Sequence, residues 1–257
     1  MASLAEFRFY AELNDFLPPG RRAVAFGYAF DGTPSVKDAI EAIGVPHPEV
    51  GLILVDDEPA DFARLLHGGE RVAVYPAFAR LDVAPLAKLR EPLPEPRRFV
   101  LDVHLGTLAR RLRLLGFDAL YRNDYDDATI VRLAVAESRI VLTRDRGLLK
   151  HAAVAHGRWL RATAPREQLA EVVEAFGLRG GLRPFTRCLT CNGALEDVDR
   201  DEVAGRLPPW VREHGERFAR CRACGHVYWA GTHYERLRRI VDELAGERPA
   251  GGAPAAV

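Results

Sequence analysis

Apolar and polar positions alternate over residues 7–13 and 22–30, and Pro18-Pro19-Gly20 between them suits a turn, so the two stretches predict a hairpin. The period then lengthens. Val36, Ala39, Ile40 and Ile43 share one face of a helix over residues 36–43, opened by Pro34-Ser35 and closed by Gly44. Residues 51–55 and 71–75 supply further strands, and the order strand, strand, helix, strand, strand is that of a β-grasp domain over residues 1–90. Residues 89–98 then carry Pro92, Pro94 and Pro96, which bar helix and central strand alike and mark a linker.

Beyond the linker, strands and helices alternate. Residues 99–101, 119–121, 139–142 and 158–160 are short apolar strands; residues 105–115, 128–137 and 166–176 are helices with one apolar face, made in the first by Leu105, Leu108, Ala109, Leu112 and Leu115. Repeated βα units favour a mostly parallel sheet, whose ligands bind beyond the carboxyl ends of its strands. This α/β domain is expected over residues 97–180. A cysteine-bearing module with an amphipathic closing helix (residues 234–244) follows over 185–244, and a disordered Gly/Ala/Pro-rich tail over 245–257.

Charge adds an asymmetry to this layout. The formal net charge is +0, yet residues 1–96 hold 9 Lys/Arg against 15 Asp/Glu, and residues 97–257 hold 27 against 21. A basic second part rich in arginine suits an anionic partner, and a solvated charged surface accounts for it equally well. No run of about 18 apolar residues suggests a membrane span, and residues 1–17 lack a secretory pattern. A cytoplasmic protein without membrane association is expected.

The chain's 4 cysteines form two C-x-x-C pairs, Cys188/Cys191 and Cys221/Cys224, followed by the turn formers Asn192-Gly193 and Gly225. Two such knuckles suit tetrahedral zinc, so a zinc ribbon with a structural ion is expected. Two disulfides are the competing arrangement, but a chain of this length has no need of staples.

Asp102 follows the first strand of the α/β domain, Asp145 follows the third, and Asp124, Asp126 and Asp127 crowd the start of the intervening helix. Each alone suits an N-cap or turn. Together at one sheet edge they repel unless a cation sits among them, and hard Mg²⁺ or Mn²⁺ is the natural choice. Such an ion polarises a phosphodiester and activates water. Asp102, Asp127 and Asp145 are the expected ligands, with Asp126 as the substitute. The chain contains no phosphate-binding loop, nucleophile elbow or H-E-x-x-H motif.

The runs L-D-V-H-L-G-T-L-A-R-R-L-R-L-L-G-F-D (residues 101–118) and I-V-L-T-R-D (140–145), with the two knuckles and V-Y-W-A-G-T-H (227–233), resemble the PIN-like ribonuclease domain first recognised at the end of the nematode Mut-seven exonuclease. Bacterial members of that family often carry a ubiquitin-like domain in front, and the resemblance extends over residues 5–243. It implies an α/β fold in which a PIN-like parallel-sheet domain lies between an N-terminal ubiquitin-like β-grasp domain and a C-terminal zinc ribbon. It also implies a metal-dependent ribonuclease, with Asp102 as the first-strand acid, Asp126 and Asp127 as the middle acid, and Asp145 as the acid of the Thr-Arg-Asp motif. The fourth acid common in PIN nucleases has no motif-bearing counterpart, because Glu167, Glu171 and Glu174 lie in a later helix.

The first domain resembles ubiquitin-like and sulfur-carrier proteins through residues 44–50 and 69–72. Its Gly68-Gly69 is internal, so docking of a protein partner, rather than carrier chemistry, is the expected role. Arg110, Arg113, Arg144 and Arg146 are expected to steer phosphate. Arg187, Arg217, Arg220 and Arg222, with Tyr228 and Trp229, are candidates for holding RNA, either single-stranded or structured transfer or ribosomal RNA, although packing of the ribbon against its neighbour accounts for the two aromatic residues as well. The expected function is metal-dependent hydrolysis of RNA. A non-catalytic RNA-binding module and a scaffold recruiting a protein through residues 1–90 stand beside it.

Overall fold

The computed structural model describes residues 2–77 and 92–246, so part of the linker and all but the start of the tail lie outside the described residues. The described residues fall into two compact units, one drawn from residues 1–105 and 121–161, the other from residues 106–120 and 162–257.

The first unit opens with β1 (Ser3–Phe9), β2 (Phe26–Phe30), α1 (Val36–Ile43), β3 (Val50–Val55), β4 (Glu58–Ala60) and β5 (Arg71–Pro76). The sheet order is β2-β1-β5-β3-β4, parallel only between β1 and β5. This is the β-grasp arrangement. α1 forms where its apolar stripe predicts: Ser35 and Asp38 make a reciprocal capping box, and Gly44 closes the helix at φ 125°. Its buried Val36, Ala39 and Ile40 join Ala5, Phe7 and Phe9 of β1 in one core.

The first strand differs from expectation. It starts at Ser3 and stops at Phe9, and Ala11–Phe16 forms a 3₁₀ turn. Ala11 adopts φ 46°, which breaks the extended run. Asn14 then holds the turn, its amide donating to the Phe9 and Ala11 carbonyls and its Oδ1 accepting from Ala23 N–H. Leu13 is buried from this turn, not from a strand, and Phe16 is buried beside it.

After the linker come β6 (Arg98–Leu101), α2 (Gly106–Leu114), β7 (Asp118–Leu120), α3 (Asp127–Ala136), β8 (Ile140–Thr143), α4 (Arg146–Leu149), β9 (Gly157–Trp159) and α5 (Pro165–Ala175). Within the first unit, β6, β8 and β9 pair in parallel, with Leu101 opposite Leu142 and Leu142 opposite Arg158. Phe99 to Leu101 and Ile140 to Leu142 are wholly buried. Such strands read as continuous apolar runs, as a parallel sheet of a PIN-like domain requires.

The second unit holds α2, β7 and α5, then β10 (Leu195–Val198), α6 (Arg200–Val203), α7 (Pro209–His214), β11 (Phe218–Cys221), β12 (Val227–Trp229) and α8 (Thr232–Gly246). β10, β11 and β12 form an antiparallel sheet. Its core is small: Val203, Leu207, Val211, Phe218 and Val227. α6 and α7, between the cysteine pairs, are not anticipated by the sequence reading, although the Asp199/Glu202 capping box and Pro208-Pro209 are start signals for them. Among the described residues, no helix is long and apolar enough to cross a membrane.

Candidate active site and metal centre

Because β6 and β8 run side by side in parallel, they end at the same edge, and each delivers an aspartate there. Asp102 directly follows Leu101 and is 8% exposed. Its Oδ1 accepts the Val103 N–H at 2.6 Å and its Oδ2 accepts the Thr143 hydroxyl at 2.6 Å. Thr143, fully buried, accepts the Asp145 N–H on the same hydroxyl at 2.8 Å. One hydroxyl thus ties the carboxylate of one strand end to the backbone of the next. In the sequence Thr143 stands out only as part of the Thr-Arg-Asp motif; a hydroxyl closing an apolar strand, two residues before an acid, is the local signal for this role.

The other acids divide by what holds them. Asp145 is exposed and caps α4 through Gly147 N–H at 2.7 Å. Asp126 caps α3 through Thr129 N–H at 2.8 Å, so that carboxylate serves the helix. Asp124 pairs with Arg122 on the surface at 2.7 Å. Asp127, the first residue of α3, has its carboxyl pushed up from its ordinary value, first by partial loss of solvent and then by the negative charges of Asp145, Asp102 and Asp126. These acids share one electrostatic field. Hard oxygen donors whose charges repel suit Mg²⁺ or Mn²⁺ in chemistry. Among the described residues, however, the four cysteines are the one group of three or more metal-ligating side chains already gathered within reach of one ion.

The arginines do not form the expected set. Arg113, 3% exposed, donates to Ala119 O at 2.9 Å and to Leu189 O and Thr190 O at 3.1 and 2.9 Å, so it holds the first knuckle and is not available to phosphate. Arg146 is likewise engaged, donating to Asp15 O at 3.1 Å and stacking 4.2 Å from the Trp159 ring centre. Their long stems let both reach carbonyls that a local pattern cannot reveal. Arg144 and Arg110 are exposed. Around the ribbon, Arg220 and Arg222 pair with Glu196, and Arg187 bonds Gly116 O and Asn192 O. Arg217 is exposed.

The four cysteine sulfurs lie within 4.8 Å of one another, with Cys188 to Cys224 at 3.7 Å and Cys191 to Cys221 at 3.4 Å. They are unbonded, and tetrahedral bonds of about 2.3 Å would set sulfurs about 3.8 Å apart. The set is able to bind a structural zinc. Each knuckle turns its backbone toward its first sulfur, Cys191 N–H to Cys188 and Cys224 N–H to Cys221, both at 3.5 Å. Gly193 is required here, because a Cβ would stand 2.8 Å from Ala223 Cβ and 2.9 Å from Cys221 Sγ.

Tyr228 completes the centre. Its hydroxyl lies 3.2 Å from Cys188 Sγ and accepts Leu189 N–H at 3.0 Å, which makes it a support of the knuckle. Burial resists ionisation of Cys188, yet the Tyr228 hydroxyl and nearby backbone N–H groups bring that thiol down to about 6, whereas burial and neighbouring sulfurs push Cys191 up to about 12. Cys188 is therefore more readily a thiolate than Cys191.

A family model described as the Mut7-C RNAse domain matches residues 97–241, and one described as Mut7-C ubiquitin matches residues 2–82. No curated protein and no solved structure matches the chain.

Proposed function

The chain belongs to the Mut7-C RNAse domain family, with a Mut7-C ubiquitin domain in front, and from this premise we propose that it hydrolyses RNA phosphodiester bonds at an edge formed by Asp102, Asp127 and Asp145. The observation that carries the proposal is the bridge from Asp102 through the Thr143 hydroxyl to Asp145 N–H, with Asp127 in the same negative field. Mg²⁺ or Mn²⁺, when bound, supplies Lewis-acid polarisation of the phosphate and an acidified water. Asp102 would serve as an oriented ligand, since both its oxygens are already held by donors. Asp127, whose charge is repelled by Asp145 and Asp102, would gain a counter-charge from the cation, and Asp145 would offer the oxygen not used in capping α4. Arg144, beside Asp145, draws the phosphate in. The cysteine centre is structural, and Asp126 serves as the cap of α3.

The test is cleavage of labelled single-stranded and structured transfer- or ribosomal-type RNAs with Mn²⁺, Mg²⁺ or EDTA, beside Asp145→Asn. Metal-dependent cutting that the substitution abolishes is expected. Tight RNA binding without cutting, equal in both proteins, would replace the enzyme with a binding module.

A further inference from the structure

Within the first compact unit, the segment carrying Asp145 is held by residues of the β-grasp part. Arg146, the next residue, donates to Asp15 O at 3.1 Å and Phe16 O at 3.5 Å, both in the 3₁₀ turn Ala11–Phe16. Its guanidinium stands 4.2 Å from the centre of the Trp159 ring and 5.0 Å from that of Phe16, and the two rings are 5.0 Å apart. Arg161 lies 5.2 Å from the Trp159 ring and 5.4 Å from Phe16, anchored on Asp15 Oδ2 at 2.8 Å and Glu12 O at 3.0 Å. The Trp159 indole N–H then donates to Arg144 O at 3.1 Å, on the other side of Asp145.

The backbone of Trp159 is fixed from the same direction. Leu160 N–H bonds Thr143 O of β8, so the Trp159 N–H points the opposite way, where Glu49 Oε1 accepts it at 2.5 Å. Glu49 is 2% exposed, and its other oxygen faces Arg158 at 3.3 Å and Arg161 at 3.8 Å. Both residues flanking Asp145 are therefore tied to an assembly whose far anchor is the N-terminal domain. Asp145 itself is exposed, and the bonds to Thr143 and Gly147 stay within its own segment.

We propose that the ubiquitin-like part acts as an intramolecular clamp that sets the position of Asp145, with Trp159 and Arg146 as positioning residues and the Ala11–Phe16 turn as anchor. This rests on Asp145 being an active-site acid, as proposed above. An acid on a short loop needs such outside support, because a site loose by about 1 Å loses much of its function.

The test combines hydrogen exchange of the amides of residues 143–147 with turnover, in the full chain carrying Trp159→Phe, Arg146→Ala or Arg146→Lys. Trp159→Phe keeps an aromatic ring in a smaller volume and removes the indole donor, so exchange should quicken about fivefold or more, the lower figure being that expected for one net hydrogen bond. Arg146→Ala should exceed that, and Arg146→Lys, which can still donate, should fall between. kcat should drop in the same order with KM for RNA unchanged. Exchange at the wild-type rate in Trp159→Phe and Arg146→Ala would overturn the clamp whether or not RNA is cut. Faster exchange with unaltered kcat would overturn its role in positioning. Should wild type not cleave at all, the exchange rates and the Mn²⁺ affinity from electron paramagnetic resonance decide: weaker Mn²⁺ binding in the faster-exchanging variants supports the clamp, and equal binding refutes it. If Arg146→Ala fails to fold, Trp159→Phe decides alone.

Discussion

Replacing Thr143 by valine removes one hydroxyl and almost no volume, at a residue with 0% exposure. The hydroxyl donates to Asp102 Oδ2 at 2.6 Å, and a hydrogen bond to a charged acceptor contributes about 1.5–3 kcal/mol. It also accepts the Asp145 N–H at 2.8 Å, and an amide left partly unpaired costs about 1 kcal/mol. The loss should come to about 3 kcal/mol, a large share of the stability of about 5–15 kcal/mol common in folded domains. At about 2–4 °C per kcal/mol, the unfolding midpoint should fall about 6–12 °C. Thr143→Ser keeps the hydroxyl and gives up a methyl, for about 1 kcal/mol. Calorimetry should therefore rank wild type above Ser above Val, and RNA cleavage should survive in Ser and collapse in Val. A valine protein that melts at or above the serine protein, or cuts RNA at the wild-type rate, would refute the claim that this hydroxyl organises the two acids.

Tyr228→Phe removes the group 3.2 Å from Cys188 Sγ, and zinc affinity measured against a competing chelator should fall about 10–100-fold, as for other outer-shell partners. Asp127→Asn should abolish cleavage yet raise the unfolding midpoint slightly at neutral pH, worth less than about 1 kcal/mol because the site is exposed. The sign follows from a raised carboxyl: ionised Asp127 is repelled in the folded state, so the penalty present at neutral pH fades on acidification through the upper carboxylate range, and midpoints measured across that range should converge. Arg113→Met strands the carbonyls of Ala119, Leu189 and Thr190, so denaturant unfolding should register a loss of about 3 kcal/mol or more, while RNA affinity of the folded fraction stays unchanged.

What could be read in the sequence was whatever local chemistry decides. α1 is framed by Ser35 and Gly44, the parallel strands are unbroken apolar runs, and the cysteine spacing needs no tertiary information to suggest a metal. Adjacent Asp126 and Asp127 are separated by a one-residue difference in helix start, which only cap geometry resolves. The fates of Arg113 and Arg146 were out of reach, because their partners are backbone carbonyls distant in the chain. The Ala11–Phe16 turn was hidden for a related reason: Leu13 looks like the last residue of a strand until Ala11 takes its left-handed conformation.

The carboxylate of Glu49 that receives the Trp159 amide has a consequence for biosynthesis. An uncovered strand edge is a template on which nascent chains pair with one another. During translation, Glu12, Phe16 and Glu49 leave the ribosome about a hundred residues or more before β9, and domains emerging first tend to fold first. The strand is thus made after its cover, and a newly made chain can seal that edge with its own residues before a neighbouring chain reaches it.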